Sequence, residues 1–372
     1  MILRDIAGEV MRLAPPGLAE SWDRCGLEVG DPGAQIRSAL VALSPTKGAL
    51  LEAQKIRADL LLTHHPLLFK PLASIDQSTP QGQIISALIK DKIALLSAHT
   101  NLDRAEGGVN DCLAEALGLQ GVRGLGEGEP LLKVAVTVPV GYEERVRKAM
   151  DEAGAGSIGA YRGCFFLGRG VGTFTPLAGS NPFIGEPGSP ERVDEVRIEG
   201  IVPKSLSGRV TGAIARAHPY EAPAIDLYLL AGSSDYGCTG RMGTLEKAVS
   251  LEKFAGTAMK ALGAPGVRFA GQKEKKILRV AVCGGSAASL WPSAMAAGAD
   301  ILVTGDVGYH AAQEAADAGF AILDAGHAST ETVVLSPLAE KLRNYAKASK
   351  SKIKVSVFSE GEPFSFAVAK NQ

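Results

Sequence analysis

Residues 60–66 read Leu60-Leu-Leu-Thr-His-His-Pro66, and this stretch decides how the rest of the chain is interpreted. Its aliphatic run predicts a strand buried in a parallel sheet, which ends before Pro66 because proline has no N–H to donate to a ladder. His64 and His65 follow at the carboxyl end of that strand, where open α/β sheets bind ligands. Two adjacent imidazoles there predict a functional site, provided that the backbone turns so that both reach it. The alternative is a surface loop that carries two ordinary histidines.

The elements on either side of this strand alternate between helix and strand. Their predicted bounds are 38–44 (strand), 46–57 (helix), 80–91 (helix) and 93–98 (strand). This β-α-β order predicts parallel pairing. The last of these strands is also followed by polar residues, among them His99 and Asp103. Because the carboxyl ends of parallel strands lie on one edge of a sheet, we expect these side chains on the same edge as His64.

The middle of the chain has a different pattern. Residues 121–130 are rich in turn-forming glycine and predict a linker. A β-α-β–β-α-β order follows, which predicts a separate ferredoxin-like sandwich. From Cys238 onward the α/β pattern of the first part resumes. The sequence therefore predicts an α/β fold of two lobes, at 1–126 and 238–372, interrupted by an α+β insert at 127–237.

The composition argues against several classes of function. The 372 residues carry a formal net charge of −1 and 5% aromatic residues, which disfavours a nucleic-acid groove or a base-stacking platform. The 5 cysteines are scattered without a C-x-x-C pair, so we expect no zinc knuckle, and such cysteines fit a reducing cytosol. We find no signal-peptide pattern at the start and no apolar run of the roughly 18 residues that a membrane helix needs, and therefore expect a cytoplasmic protein.

His327 and Glu331 are four residues apart where a helix is predicted to begin. Side chains at i and i+4 share a helix face, so the imidazole and the carboxylate can converge on one ion. Gly326 allows the tight turn that leads into the helix. The alternative is a capped helix start, in which Ser329 or Thr330 is the N-cap and Glu331 is an ordinary first-turn acid.

The two halves of the chain together offer five nitrogen and oxygen ligands without a thiolate, namely His64, His65, Asp103, His327 and Glu331. Such a set suits zinc, iron or manganese. Because five ligands exceed the needs of one tetrahedral ion, we expect two metal ions that share a bridging carboxylate. A pair of this kind, about 3.5–4 Å apart, activates a bridging water as a nucleophile.

Two further patterns are less specific. Gly284-Gly-Ser286 follows a predicted strand and resembles a phosphate-binding turn, although a tight turn without a ligand explains it equally well. His218 and Glu221 are close enough in sequence to form a ligand pair, but the prolines beside them favour a rigid turn.

Four separated motifs resemble the NGG-interacting-factor (Nif-three-like) dinuclear metal-centre family, whose members are often labelled GTP cyclohydrolase I type 2 homologue. They are Thr63-His-His-Pro66, Ser97-Ala-His-Thr-Asn-Leu-Asp103, Gly305-Asp306 and Asp324-Ala-Gly-His-Ala-Ser-Thr-Glu331. Trp22–Gly30 resembles the family's N-terminal Asn-x-Gly-Leu-x-Val-Gly, but has Arg24-Cys25 before the first glycine. The segment 127–237 is similar in length and strand order to the PII/CutA-like insert of the family's longer bacterial members.

This resemblance implies two α/β lobes with two divalent metal ions (zinc, iron or manganese) in the cleft between them, and a toroidal homohexamer built from two trimers. By the same resemblance the metal ligands, with Asp103 or Glu331 bridging, are His64, His65, Asp103, His327 and Glu331. His99 would hold a ligand in its orientation, or be a buried structural histidine. Asp306 and His310 would lie near the cleft, or else be a strand-end turn and the start of a helix.

For function, the family label implies a metal-dependent hydrolase that acts on a nucleotide-like substrate, as in the opening of the GTP ring by attack at purine C8. The alternative is a metal-loaded hexameric scaffold or regulatory binding protein without catalysis, since PII-like domains sense small molecules and trimerise. Binding of nucleic acid in the central hole of the hexamer is not expected at a net charge of −1.

Overall fold

The aliphatic runs of the sequence form three sheets in a computed structural model, which describes residues 1–159, 161–233 and 236–365. The chain divides into two units, one made of Met1–Gly128 with Asp235–Gln372 and the other of Glu129–Ser234. Two of the sheets belong to the first unit and one to the second. The finer division into three segments stays a prediction.

Two helices of the first segment begin where the sequence offers a cap. Thr46 and Thr79 accept hydrogen bonds from the backbone N–H groups of Ala49 and Gly82, which fixes both helix starts. The helices of this segment are α1 (Leu3–Leu13), α2 (Lys47–Lys55), α3 (Pro80–Lys90), α4 (Thr100–Arg104) and α5 (Val109–Ala116). The strands are β1 (Gly26–Val29), β2 (Ser38–Ala42), β3 (Leu60–Thr63), β4 (Ala94–Ser97) and β5 (Gln120–Leu125).

The unit Glu129–Ser234 is an antiparallel sheet with two helices. In chain order its elements are β6 (Pro130–Pro139), α6 (Glu143–Glu152), β7 (Phe165–Phe174), β8 (Glu191–Pro203), α7 (Ser207–Ala217) and β9 (Ile225–Ser233). The strands lie in the order β7-β8-β6-β9. Alternate residues of β6, such as Val134 and Val136, pack against Val146 and Ile214 of the helices. The β-α-β-β-α-β order and this strand arrangement are those of a ferredoxin-like sandwich.

The rest of the first unit again alternates between strand and helix. Its strands are β10 (Gly240–Ser250), β11 (Arg268–Ala270), β12 (Lys276–Ser286), β13 (Ile301–Gly305), β14 (Ala321–Asp324) and β15 (Lys354–Phe358). Its helices are α8 (Leu251–Ala261), α9 (Trp291–Ala296), α10 (Tyr309–Asp317), α11 (His327–Glu331) and α12 (Leu335–Ala348). Among the described residues, no helix is both long enough and apolar enough to span a bilayer.

Two sheets share the first unit. The first has the strand order β1-β4-β3-β2-β15, in which β15, β2, β3 and β4 run parallel. Every residue of β3 is buried, which explains why Leu60, Leu61 and Leu62 are all aliphatic. The second sheet has the order β11-β14-β13-β12-β10-β5, with β12, β13 and β14 parallel at its centre.

The two sheets take strands from distant parts of the chain. Strand β5 pairs with β10 in the second sheet, and β15 pairs with β2 in the first. The prediction of a linker over 121–130 is therefore wrong for residues 121–125, which belong to strand β5. Strand β5 is an edge strand with mostly exposed side chains and two glycines, so its own sequence has little strand propensity, and pairing with β10 determines its conformation.

Candidate metal centre

The first candidate ligands follow strands β3 and β4, which run parallel as predicted, so their carboxyl ends lie on one edge of the sheet. Thr63 Oγ1 donates a hydrogen bond to the backbone carbonyl of His65, and this turn brings the ring centroids of His64 and His65 within 5.0 Å. His64 is completely buried, whereas 23% of the His65 side chain is exposed. The surface-loop alternative for this pair is therefore wrong.

Asp103 reaches the same edge from the short helix α4, which begins directly after the turn that follows β4. The backbone N–H of Asp103 donates to the carbonyl of His99 within the first turn of this helix. Asp103 Oδ1 lies 3.5 Å from His64 Nε2. A carboxylate and an imidazole from neighbouring strand ends thus face each other.

The second group of ligands comes from the other sheet, where β14 leads into α11 through Gly326. Gly326 has φ +88°, a left-handed conformation that favours glycine, and α11 begins at the next residue. His327 Nε2 and Glu331 Oε2 lie 3.2 Å apart, so the i, i+4 pair shares a face as predicted. Ser329 and Thr330 lie inside α11 and Glu331 is its last residue, so the capping alternative is wrong.

Glu331 takes part in both groups because its two carboxylate oxygens face different histidines. Oε1 lies 3.6 Å from His64 Nε2, and Oε2 lies 3.0 Å from His65 Nε2. Three sets of three residues have ligand atoms within 4.8 Å of one another in the described part of the chain, and two of them contain Glu331: His64, Asp103 and Glu331 form the first group, and His65, His327 and Glu331 form the second. The five residues singled out from the sequence are therefore brought together as two adjoining groups that share one carboxylate.

Three of the converging atoms are buried without a hydrogen-bond partner among the described residues: His64 Nε2, Asp103 Oδ1 and Glu331 Oε2. His64 Nδ1 carries a proton because it donates to the carbonyl of Ala98 at 2.9 Å, so neutral His64 has its lone pair on Nε2. That lone pair faces carboxylate oxygens, an arrangement that is repulsive unless a cation lies between them. The residues present therefore fit a bound metal ion.

Outer hydrogen bonds orient the imidazoles of the second group. His65 Nδ1 lies 2.7 Å from Ser44 Oγ, and His327 Nδ1 lies 2.6 Å from Asp306 Oδ2. The Nε2 atom of each ring is thereby directed toward Glu331. Asp306, for which the sequence left two interpretations open, lies at the edge of the cluster as the partner of His327. Carboxylates in this position fix the tautomer of a ligating histidine.

His99 lies beside the first group, and one of its ring nitrogens is within 4.8 Å of ligand atoms of His64 and His65. Its Nδ1 lies 2.9 Å from Asp23 Oδ1, and the backbone N–H of Thr100 also donates to Asp23. Burial alone would raise the pKa of Asp23, but the hydrogen bonds from His99 and Thr100 hold it below its usual range. The ionised Asp23 fixes Nδ1 as the protonated nitrogen of His99, so Nε2 is free to accept a proton.

The pKa values of the cluster reflect opposite charges held together away from water. Burial lowers the pKa of His64, but Asp103 and Glu331 outweigh it and raise this pKa to about 9. The contact with Glu331 raises the pKa of His327 to about 9. Burial raises the pKa of Asp103 to about 6. Burial also acts to raise the pKa of Glu331, but His64 and His327 outweigh it and hold this pKa well below its usual range. In the metal-free chain, protons on two imidazoles thus take the place of cations.

Three histidine and glutamate candidates lie outside the cluster. His310 is exposed near the start of α10, packs against the neighbouring tyrosine ring and belongs to none of the groups of ligand atoms in the described part of the chain. His218 Nε2 donates to the carbonyl of Thr137, while Glu221 accepts the N–H of Asn181. These two therefore form a rigid turn, as the prolines indicated, and not a ligand pair.

The turn at 284–286 serves the cluster and not a phosphate. The N–H of Gly284 donates to Asn110 Oδ1, and the N–H of Gly285 donates to Thr330 Oγ1, so neither is available to an anion. Gly285 has φ +65°, and a Cβ there would overlap the carboxylate of Glu331. The phosphate interpretation is therefore wrong, and the tight turn is explained by the room it gives Glu331.

Several contacts of the site escaped the sequence analysis. Asp23 lies in the N-terminal motif, but a lone aspartate in a loop gives no signal of its partner His99, 76 positions away. Ser44 follows β2, and its place at a third strand end on the same edge could have identified it. The rings of Trp22 and Phe69 lie 5.4 Å apart between centroids, tilted by 38°, and are 6.1 and 6.2 Å from the His99 ring. No local pattern predicts this aromatic pair.

Comparison with known proteins gives matches along nearly the whole chain. A family model described as Duf34/NIF3 (NGG1p interacting factor 3) matches residues 1–363. A Halalkalibacterium halodurans protein named "GTP cyclohydrolase 1 type 2 homolog" is 41% identical over 358 residues, 95% of this chain and 96% of that protein. A Bacillus subtilis protein of the same name is 38% identical with the same coverage. The crystal structure of a Bacillus cereus protein related to NIF3 has a TM-score of 0.86 at 39% identity and covers 99% of both chains.

Proposed function

The chain belongs to the Duf34/NIF3 family, and from that premise we propose that it is a dinuclear metal protein. His64, Asp103 and Glu331 would hold one divalent ion, and His65, His327 and Glu331 would hold the other. Of the two bridging carboxylates considered from the sequence, Glu331 is favoured because its oxygens face different histidines.

The observation that carries this proposal is the convergence of three buried atoms without partners: His64 Nε2, Asp103 Oδ1 and Glu331 Oε2. A buried polar atom left unsatisfied costs about 1–3 kcal/mol, and a charged one costs more. The first proposed ion would satisfy His64 Nε2 and Asp103 Oδ1, and the second would satisfy Glu331 Oε2, which lies beside His65 and His327. Without metal ions, the same cluster needs protons on His64 and His327 to compensate this cost.

The chemistry of the donors supports zinc, iron or manganese. All five proposed ligands offer nitrogen or oxygen, and none offers a thiolate. Cys283 is buried near Asp103 and Glu331, and burial raises the pKa of its thiol to about 12. Its Sγ donates to the backbone carbonyl of Thr239, and in the described part of the chain Cys283 belongs to none of the groups of converging ligand atoms.

We further propose that the centre hydrolyses a nucleotide-like substrate. A bound divalent ion would act as a Lewis acid and favour the ionisation of water held in the site. His99, fixed through Nδ1 by Asp23, is the group of this chain that would accept a proton at Nε2. The carboxylate of Asp23 would stabilise the imidazolium that results.

One feature supports a substrate with an aromatic ring. Trp22 and Phe69 are 54% and 50% exposed beside His99, and aromatic side chains in such a position stack on nucleobases. The printed name of the relatives, "GTP cyclohydrolase 1 type 2 homolog", makes GTP the first substrate to test.

The test combines metal content and hydrolysis in the same samples. Elemental analysis of purified protein should give about two ions per chain, and incubation with GTP should release formate. Glu331→Ala should lose both the metal and the activity. His310→Ala removes a histidine outside the cluster and should leave both unchanged.

The two parts of the proposal fail differently. Wild-type protein that retains no metal after loading and dialysis would contradict the metal centre. Protein with full metal content that leaves GTP, other nucleotides and phosphoesters intact would contradict the hydrolase.

A second candidate function is a hexameric scaffold or regulatory protein in which the metal centre does not catalyse. Its support is the separate unit Glu129–Ser234, for which we propose a PII/CutA-like role from its ferredoxin-like topology. We also propose a homohexamer of two trimers. Tyr228 and Leu229 on the edge strand β9 are 50% and 71% exposed and offer apolar surface for such contacts. Light scattering that gives the mass of one chain would contradict the hexamer.

A further inference from the structure

The unit Glu129–Ser234 contains a cavity that the functions proposed above do not use. Its volume is about 630 Å³, enough for a small organic molecule. It lies against strands β7 and β8 and is bounded by the segments that follow β7 and α7. Aromatic rings supply part of its wall, from Phe166, Phe174, Phe183 and Tyr220. We propose that this cavity binds a small organic cation, an ammonium or amidinium group on an apolar body.

A buried carboxylate supplies the negative charge that such a ligand needs. Glu195 lines the cavity and is 7% exposed. Its Oε1 accepts a hydrogen bond from the hydroxyl of Tyr220 at 3.1 Å, which leaves most of its acceptor capacity unused. In the ranges that the structure describes, no lysine, arginine or histidine forms an ion pair with it. A buried anion without a counter-charge is costly, so the site favours a cation.

Arg169 and Arg197 line the cavity together with Glu195. The side chain of Arg169 leaves β7 on the face opposite to Gly168 and Gly170. His218 and Arg197, the other basic groups near Glu195, are engaged elsewhere. His218 is neutral, because Nε2 donates to a backbone carbonyl at 2.8 Å while Nδ1 accepts the N–H of Tyr220 at 3.0 Å. Arg197, two positions further along β8, donates to Glu199 at 2.7 Å. Neither group neutralises Glu195, and we therefore assign the missing positive charge to a ligand.

Strand β7 leaves space on the face that carries the cavity. Gly168, Gly170 and Gly172 alternate along it, so successive positions on one face have no side chain. A Cβ at Gly172 would overlap the carboxylate of Glu195, whereas nothing lies within 4 Å of the Cβ position at Gly170. Gly170 pairs directly with Glu195 across the two strands. The glycines thus admit the carboxylate and keep the adjoining space open.

The aromatic rings suit the same class of ligand. The Tyr220 ring lies 5.7 Å from Phe174 and 6.3 Å from Phe183 between centroids, so three rings cluster beside Glu195. Aromatic faces attract ammonium and guanidinium-like cations and also shield the apolar part of a ligand from water. A carboxylate in such a setting discriminates a cation from a neutral molecule of the same shape.

The test titrates the full chain, with its native metal, by calorimetry with benzamidine and with benzamide, which is similar in shape but uncharged. We expect benzamidine to bind and benzamide to bind at least about tenfold more weakly. Glu195→Gln should weaken benzamidine binding by about tenfold or more and leave benzamide unaffected. Asp194→Asn removes an exposed acid from the same strand outside the cavity, on the face opposite to Glu195, and should leave both affinities unchanged.

Gly170→Val provides a second variant in case Glu195→Gln fails to fold. Valine is compatible with a strand and meets no atoms at this position, but it fills the space beside Glu195. It should abolish benzamidine binding while the native metal content is retained. The proposal is overturned if wild-type protein does not bind benzamidine at millimolar concentration, if benzamide binds equally well, or if a folded variant of either kind binds benzamidine like the wild type.

Discussion

The Nε2 atoms of His65 and His327 face each other across 3.3 Å, although the two residues are 262 positions apart in the chain. The Nδ1 atom of each ring is hydrogen-bonded, in His65 to Ser44 and in His327 to Asp306, so neither ring is free to turn away. Both nitrogens also lie beside Glu331 Oε2. Such a contact is stable when a proton or a metal ion lies between the atoms.

Removing ligands one at a time should empty the two proposed sites separately. His64→Ala removes a donor of the first group and His327→Ala a donor of the second, so each variant should keep about one ion of about two. Glu331→Ala should keep neither, because both groups share its carboxylate. Elemental analysis of dialysed protein measures the ratio. Loss of both ions in all three variants would argue against two separable sites.

Metal binding should release protons. The pKa values of His64 and His327 are raised to about 9, so both rings are protonated near neutral pH in the metal-free chain, whereas a ligand must be deprotonated. Apparent metal affinity should therefore increase with pH and level off above about pH 9. Calorimetry in two buffers of different ionisation enthalpy should detect up to about two protons released per chain. A titration that releases none is incompatible with protonated rings.

Gly285→Ala should disturb the centre through Glu331. The φ angles of +65° at Gly285 and +68° at Gly118 place similar backbone strain, about 1 kcal/mol, on an alanine. Only at Gly285 does the new Cβ also overlap Glu331, since nothing lies within 4 Å at Gly118. Urea unfolding should show a larger loss of unfolding free energy for Gly285→Ala than for Gly118→Ala, and metal should be lost from Gly285→Ala alone. Equal losses of unfolding free energy and equal metal contents in the two variants would mean that Glu331 moves away from the new Cβ at little cost.

Asp23→Asn should slow hydrolysis without emptying the centre. The amide cannot stabilise a charged His99, and loss of an orienting carboxylate of this kind lowers activity by about 10–100-fold. Metal content should not change, because Asp23 is not among the proposed ligands. Asp31→Asn, at an aspartate that accepts the N–H of Gly33 on the surface, is the matched control. The role assigned to Asp23 is wrong if both variants turn over GTP at the wild-type rate.

Trp22→Ala should raise KM for GTP more than it lowers kcat. Loss of a stacking ring removes about 1–3 kcal/mol of binding to a base, which corresponds to a rise in KM of about 5- to 150-fold. Tyr309→Ala removes a ring that is 73% exposed on α10, outside the aromatic pair, and should leave KM unchanged. Steady-state kinetics of the two variants measures the difference. A fall in kcat at constant KM would instead point to a change at the metal ions.

The residues of the site could be predicted because their chemistry is local and uncommon. Adjacent histidines after a buried strand, and a histidine four residues before a glutamate, are patterns within a few positions of the chain. The division into two groups could not be predicted, because it depends on the turn that Thr63 makes with His65 and on which oxygen of Glu331 faces which ring. Those distances arise only when the two sheets are packed.

The fold was predictable where strands are buried and not where they lie at an edge. Leu60–Thr63 is buried throughout, so its sequence alone indicates a strand. Gln120–Leu125 has mostly exposed side chains, and its glycines indicate a turn. Its partner, Gly240–Ser250, lies beyond the whole Glu129–Ser234 unit in the sequence. The strand conformation of Gln120–Leu125 therefore depends on pairing with a distant strand, and the sequence of the segment itself does not indicate it.

The exchange of strands between the two sheets also bears on how the protein forms during synthesis. As the chain leaves the ribosome, β1 to β4 emerge early, but β2 keeps an unpaired edge until Lys354–Phe358 is made. The unit Glu129–Ser234 has a hydrophobic core of its own and can condense in the meantime. His64 and His65 are joined by His327 and Glu331 only after α11 is made, so the nascent polypeptide acquires its full set of proposed metal ligands only when translation is nearly finished.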